Sequence, residues 1–256
     1  MKDPKVLSSI YLHAVLPLLE EVVQHDKQAQ ELVKGWHCSV MFHVGGGPAA
    51  TLKFRDGKCE AIPKAMALPT VAMWFSSPEK LNKMFEGANV IPVIWKGIWH
   101  PVILKNFIAL TKRLDYYMKP TPELEKDPNE SPFITKLMAY AAVYGAKAVA
   151  DNDEKMKRDV APIMPNGTIQ LIVHEGGPKA YLIKKGDEIT VGKGDAPQAP
   201  DAFMEVRNVN LAYELFTGKM DAMAGLGMCD LKIHGHIPLV DNLNALLDRL
   251  AQYLRT

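Results

Sequence analysis

Two imidazoles, His234 and His236, flank Gly235 and would leave the same face of a strand, a spacing from which they could share a metal ion. A tetrahedral site needs further ligands, and the sequence offers none at a recognisable spacing, so no metal is assigned. The glycine run Gly45-Gly46-Gly47-Pro48 lacks the Lys-Ser/Thr pair of a phosphate loop, and GLGMCD from Gly225 ends on Asp230 where a dinucleotide fingerprint ends on a small residue. These glycines read as turns, and no cofactor is expected. There is no GxSxG elbow, and Cys59 and Cys229 have no neighbour in the sequence that would activate a thiolate. Glu175, Asp187 and Glu188 read as a solvated turn. No catalytic residue is assigned, and the chain is expected not to be an enzyme.

A different chemistry is written in LFTGKMDAMAGLGMCDLKIHG, Leu215 to Gly235, where Met220, Met223 and Met228 lie among small residues. Methionine is unbranched and polarizable, adapts to irregular apolar shapes, and is common on surfaces that accept varied partners. Phe216, Met220, Met223, Leu226 and Met228 would form an adjustable apolar wall. The plainer reading of a methionine stripe at helical spacing is core packing.

The elements that must position this wall occur twice. Gly46-Gly47-Pro48-Ala49-Ala50-Thr51-Leu52 aligns with Gly176-Gly177-Pro178-Lys179-Ala180-Tyr181-Leu182 at a displacement of 130 residues. At that displacement SSPEKLNKMFEG meets VRNVNLAYELFTG, with Leu81 opposite Leu211. Each half starts with a helix candidate, the first kinked at Pro17, which has no N–H to donate. An apolar strand, a GGP turn and an alternating strand then form a hairpin. A turn at Asp56-Gly57 or Gly186-Asp187 follows, then two more strands and a helix capped at Ser77-Pro78 or Asn208. A last strand ends at Gly97 or Gly235, and an amphipathic helix closes each half. Strands followed by helices predict an α+β fold with a mainly antiparallel sheet. KPTPELEKDPNESP, residues 119–132, has a linker composition, which divides the chain into domains at 1–118 and 133–256.

The totals fit this division. With 256 residues, 48% hydrophobic and 23% charged, the chain belongs among packed globular proteins. Its formal charge of +1 gives no overall field for nucleic acid, and no basic and aromatic interleaving suggests a nucleic-acid partner. The N-terminal stretch is interrupted by Asp3 and His13 and reads as an amphipathic helix instead of a signal peptide, and no integral membrane association is expected. Three scattered cysteines suit a reducing compartment, so a cytoplasmic location is expected.

The ordered elements LFTGKMDAMAGLGMCDLKIHGHIPLVDNLNALL, with the preceding GGP hairpin and the strand AFMEV, resemble the sterol carrier protein type 2 family over roughly Pro165 to Thr256. Through the repeat the resemblance extends to about Gly35 to Met118. It implies two sterol-carrier-like domains, each a five-stranded sheet covered by helices on one side around an apolar tunnel for a sterol, fatty acid or fatty acyl-CoA. The partner it implies is such a lipid or acyl ligand. The residues it places along the tunnel are Phe216, Met220, Met223, Leu226, Met228, Ile233, Leu239 and Leu243. The first copy departs from the pattern: Gly87-Ala88 replaces Gly218-Lys219, and NVIPVIWKGIW replaces the methionine-rich segment. Trp74, Phe85, Trp95 and Trp99 are its secondary candidates. The alternative is a structural or protein-interaction module with closed tunnels, in which the methionines are filler.

Overall fold

The computed structural model describes residues 2–255. Its contacts divide the chain between Tyr117 and Met118 into two compact units.

The first unit opens on a helical run of four pieces: α1 (Pro4–Ile10), a π-helical turn (Tyr11–Val15), a 3-10 turn (Leu16–Leu18) and α2 (Leu19–His25). Pro17 removes one donor from the ladder, and the chain absorbs the loss by widening one turn before it and tightening the turn around it. By length and hydropathy Pro4–His25 could cross a membrane, yet most of it is buried inside the unit. There follow α3 (Lys27–Val33), β1 (His37–Val44), β2 (Ala49–Arg55), β3 (Lys58–Ile62), β4 (Val71–Phe75), α4 (Pro78–Phe85), β5 (Val93–Lys96) and α5 (Pro101–Met118).

The second unit repeats the plan with α6 (Pro122–Glu125), α7 (Ser131–Asn152), α8 (Glu154–Asp159), β6 (Gly167–Val173), β7 (Lys179–Lys185), β8 (Glu188–Lys193), β9 (Ala202–Val206), α9 (Val209–Thr217), α10 (Ala222–Gly227), β10 (Leu231–Gly235) and α11 (Ile237–Leu254). The two five-stranded sheets have one topology, β3-β2-β1-β4-β5 and β8-β7-β6-β9-β10. Neighbours are antiparallel except β1 with β4 and β6 with β9, which run parallel because a whole hairpin separates them in the chain. The stretch 119–132, whose composition reads as a linker, contains α6, and Leu124 on that helix is buried.

The structural repeat differs from the sequence alignment by one residue. Val44 donates to Pro48 in the first hairpin and Val173 to Pro178 in the second, so the second loop is one residue longer. The hairpin strands then keep the aligned displacement of 130, with Leu52 matching Leu182 and Ala61 matching Val191, and a further residue is gained between β3 and β4, where Val71 matches Ala202. Past it the helix caps Ser77 and Asn208 coincide, and the fully buried Leu81 corresponds to Ala212, not to Leu211.

The same clasp closes each unit. Asp26, between α2 and α3, accepts hydrogen bonds from Arg113 Nε at 2.8 Å and Tyr117 Oη at 2.9 Å on α5, while its other oxygen caps α3 through Ala29 N. Asp153, between α7 and α8, accepts from Arg249 Nε at 2.8 Å and Tyr253 Oη at 2.7 Å on α11, and caps α8 through Met156 N. Both carboxylates are about 3% exposed. Burial alone would raise their pKa values, but the donors from Arg, Tyr and backbone outweigh it and hold both below the usual carboxylate range.

Two glycines end equivalent strands for the same steric reason. At Gly97, φ is +84°, and a Cβ would lie 2.5 Å from the Thr70 carbonyl oxygen; at Gly235, φ is +91°, and a Cβ would lie 2.2 Å from that of Asp201. No L side chain fits either approach.

Candidate functional site

In the second unit Val173, Val206, Ala212 and Leu231 form a buried apolar cluster where α9 crosses β6, β9 and β10. Val209, Leu211, Leu215, Phe216, Leu226 and Ile233 pack around it and remain partly open to solvent. Local chemistry fixes the two helices that carry this rim. Asn208 caps α9 by accepting from Leu211 N at 3.0 Å, and Gly218 ends it in the left-handed conformation. Asp221 caps α10 by accepting from Ala224 N at 3.0 Å.

A polar brace holds the end of α9 from outside. Glu125 on α6 accepts from Tyr213 Oη at 2.6 Å and from Lys219 Nζ at 2.8 Å, with the lysine ammonium 4.9 Å from the centre of the Tyr213 ring. Hydrogen bonds from Lys219 and then Tyr213 depress the Glu125 pKa, while burial and the carboxylate beside it raise that of Tyr213. The Lys219 backbone N–H caps the helix by donating to Glu214 O at 2.8 Å, so its side chain is left for the ion pair.

The candidate residues take different places. Phe216, Leu226 and Ile233 lie in the half-open rim. Met220 is part-buried, its methyl and sulfur directed at Gly225 beside Leu231. Leu239 and Leu243 are buried on α11, where Leu239 approaches the first residue of β6. Met223 is 74% exposed and Met228 is 61% exposed. Gly225 faces inward, and Met223, two positions earlier on a helix that turns about 100° per residue, consequently faces outward. In the first unit Phe85 stacks on Tyr11 with ring centres 4.8 Å apart, while Trp74, Trp95 and Trp99 are exposed. At the rim Phe216, Leu226 and Ile233 offer apolar contact.

Residues 146–248 form an SCP-2 sterol transfer family domain. The match runs from inside α7 to the last turns of α11 and includes the whole rim. It supports lipid binding or transfer in general. Among solved structures, the chain is similar to a protein titled UbiJ-SCP2 ubiquinone synthesis protein, with 15% identity, 42% of this chain and 94% of that one covered, and a TM-score of 0.33. It is also similar to palmitated SCP2L2 from Aedes aegypti (16% identity, 41% and 90% covered, TM-score 0.32). A third likeness is to apo sterol carrier protein 2 from Yarrowia lipolytica (23% identity, 37% and 84% covered, TM-score 0.29). Comparison with curated proteins returns no match.

Glu125, Tyr213, Asp153, Arg249 and Tyr253 organise the second unit without having been singled out as site residues in the sequence. The spacing Arg-x-x-x-Tyr recurs at Arg113 and Tyr117 and at Arg249 and Tyr253, and that signal was available. Glu125 gave none, since it lies in a charged stretch far from α9. On the outer sheet face Glu205 accepts from His174 at 2.9 Å and His234 at 3.1 Å, and His234 stacks on Phe203. Among the described residues no group of three or more His, Cys, Asp or Glu side chains, this one included, is arranged to hold a metal ion.

Proposed function

We propose that the second unit binds or carries a lipid of the sterol, fatty acid or fatty acyl-CoA type without catalysing a reaction on it. The seat of the apolar portion is the space bordered by α9, α10 and β10. The observation that carries this reading is the incomplete burial of Leu215, Phe216, Leu226 and Ile233 around a closed core inside the SCP-2 domain. Side chains that a self-sufficient core would cover are left half in water, and a hydrocarbon guest supplies the missing contacts. Each methylene buried contributes about 0.8 kcal/mol, so a long acyl chain gains roughly 10 kcal/mol before ordering costs. Met223 and Met228 then belong to the mouth of the seat, and Leu239 and Leu243 to its rigid support.

The test is lipid extraction of the purified chain with mass spectrometry, followed by titration with a fluorescent acyl ligand. Saturable binding is expected, weakened at least tenfold, about 1.4 kcal/mol, by Phe216→Ser together with Ile233→Ser. Met223→Ser with Met228→Ser should cost less. Retained circular dichroism separates lost affinity from lost folding. A folded chain with no copurified lipid and no saturable binding overturns the proposal and leaves the protein-interaction reading in its place.

A further inference from the structure

The first unit carries three residues that its counterpart does without, and they lie where its tryptophans are exposed. Trp74 pairs with Val93 and Glu205 with Lys232, so these positions correspond. From Val93 to Gly97 the chain takes four steps, but from Lys232 to Gly235 three. The extra residue falls at the bulge where Ala72 pairs with Lys96 and Met73 with Ile94, which leaves Trp95 unpaired. A bulge re-aims a side chain. Gly97 then stands four residues before the start of α5, whereas Gly235 stands two before α11, and the longer turn carries Ile98, Trp99 and His100. The second unit builds the same strand, glycine and helix without these additions, so the fold does not require them.

The additions complete an exposed apolar band of Ile91, Val93, Trp95, Ile98, Trp99 and Val102, with Trp99 87% exposed and Ile91 82% exposed. The chain around it has one sign of charge. Between Glu86 and Asp115 there is no carboxylate, while Lys96, Lys105 and Lys112 are cationic and Arg113 is engaged by Asp26. The corresponding stretch of the second unit contains Asp221, Asp230, Asp241 and Asp248.

We infer that this band is a docking surface for an anionic lipid bilayer. Tryptophan favours the boundary between water and hydrocarbon, aliphatic neighbours enter the acyl region, and lysines beside them meet anionic headgroups. A second copy of the chain fits less well. The edge strand β5 is four residues long and interrupted by the bulge, which gives little ladder to share, and a self-contact would bring like charges together. The inference is independent of lipid binding by the second unit.

Flotation of the full chain with vesicles of phosphatidylcholine alone, or of phosphatidylcholine with an equal part of phosphatidylserine, tests it. Binding is expected to the anionic vesicles, to weaken as salt is raised, and to shift tryptophan emission to the blue. Trp99→Ser with Ile98→Ser should reduce binding about tenfold or more with an unchanged thermal midpoint, and Lys105→Glu with Lys112→Glu should reduce it without touching the apolar band. Phe216→Ser with Ile233→Ser should leave flotation unaffected, which separates this surface from the acyl seat. No preference for anionic vesicles, or equal binding by the Trp99 and Ile98 variant, overturns the inference. Concentration-dependent dimerisation abolished by that same variant would also overturn it, assigning the band to self-association.

Discussion

The closing clasps and the outer strands of the two units contrast sharply. Asp26 with Arg113 and Tyr117 reproduces Asp153 with Arg249 and Tyr253 group for group, although the surrounding sequence has diverged. One sheet edge away, Trp74 opposite Val93 stands where the other unit has Glu205 opposite Lys232. The clasp is buried and joins the start of a unit to its end, so a change in one partner leaves a charge stranded. The outer strand faces solvent, where substitution has little stability consequence, and there the units have become chemically different.

The comparison breaks most readily at the clasp. Arg113→Leu and Arg249→Leu should each destabilise their own unit by about 3 kcal/mol, because each leaves a nearly buried carboxylate unpaired. Urea unfolding followed at probes in each half reads this, and a loss confined to one unit would show that the clasps are not equivalent. The acid dependence has a definite sign. The folded pKa values of Asp26 and Asp153 lie below their unfolded values, so their contribution is present above the ordinary carboxylate range and is lost as pH falls through the depressed folded values. Asp153→Asn, which retains an acceptor for the α8 cap, should flatten the acid limb of unfolding monitored in the second unit.

Next in size are the strand-ending glycines. Gly97→Ala and Gly235→Ala should each cost about 2 kcal/mol or more, since a methyl group would overlap a carbonyl oxygen on a backbone that already has positive φ. Thermal unfolding measures the cost, and a silent Gly235→Ala would contradict the close approach to Asp201. Smallest is the exchange of surface character. Trp74→Glu with Val93→Lys gives the first sheet the charged pair of the second, and should shift stability by about 0.5 kcal/mol or less. A larger loss by the same thermal measurement would mean that the exposed pair supports the fold.

The hairpins, turns, caps and terminal glycines were legible in the sequence because each rests on a local rule: GGP and Asp-Gly turns, Asn208 before a helix, and glycine where a strand stops. The order of elements along each half followed from the repeat, whereas the order of strands in the sheet, with its parallel pairs of β1 with β4 and β6 with β9, did not. What local rules could not give was direction around a short helix. Met220, Met223 and Met228 look alike as letters, yet Gly225 turns α10 so that Met223 faces water while Met220 lies against the glycine. The one-residue slip between Leu211 and Ala212 arose because a loop insertion is invisible until strand pairing fixes which residues coincide. Residues 119–132 read as a linker because charge and proline were all that composition showed, whereas the burial of Leu124 depends on contacts within the folded second unit.

The brace at Glu125 bears on where a stand-alone fragment should begin. A cut at residue 133 would retain all the matched family residues, 146–248, and every strand of the second sheet. It would also strip Tyr213 and Lys219 of the carboxylate they share, at the helix bordering the proposed acyl seat. A shortened version would therefore keep its architecture while losing the outer tether of α9, and weak ligand uptake by such a fragment would reflect the choice of cloning boundary.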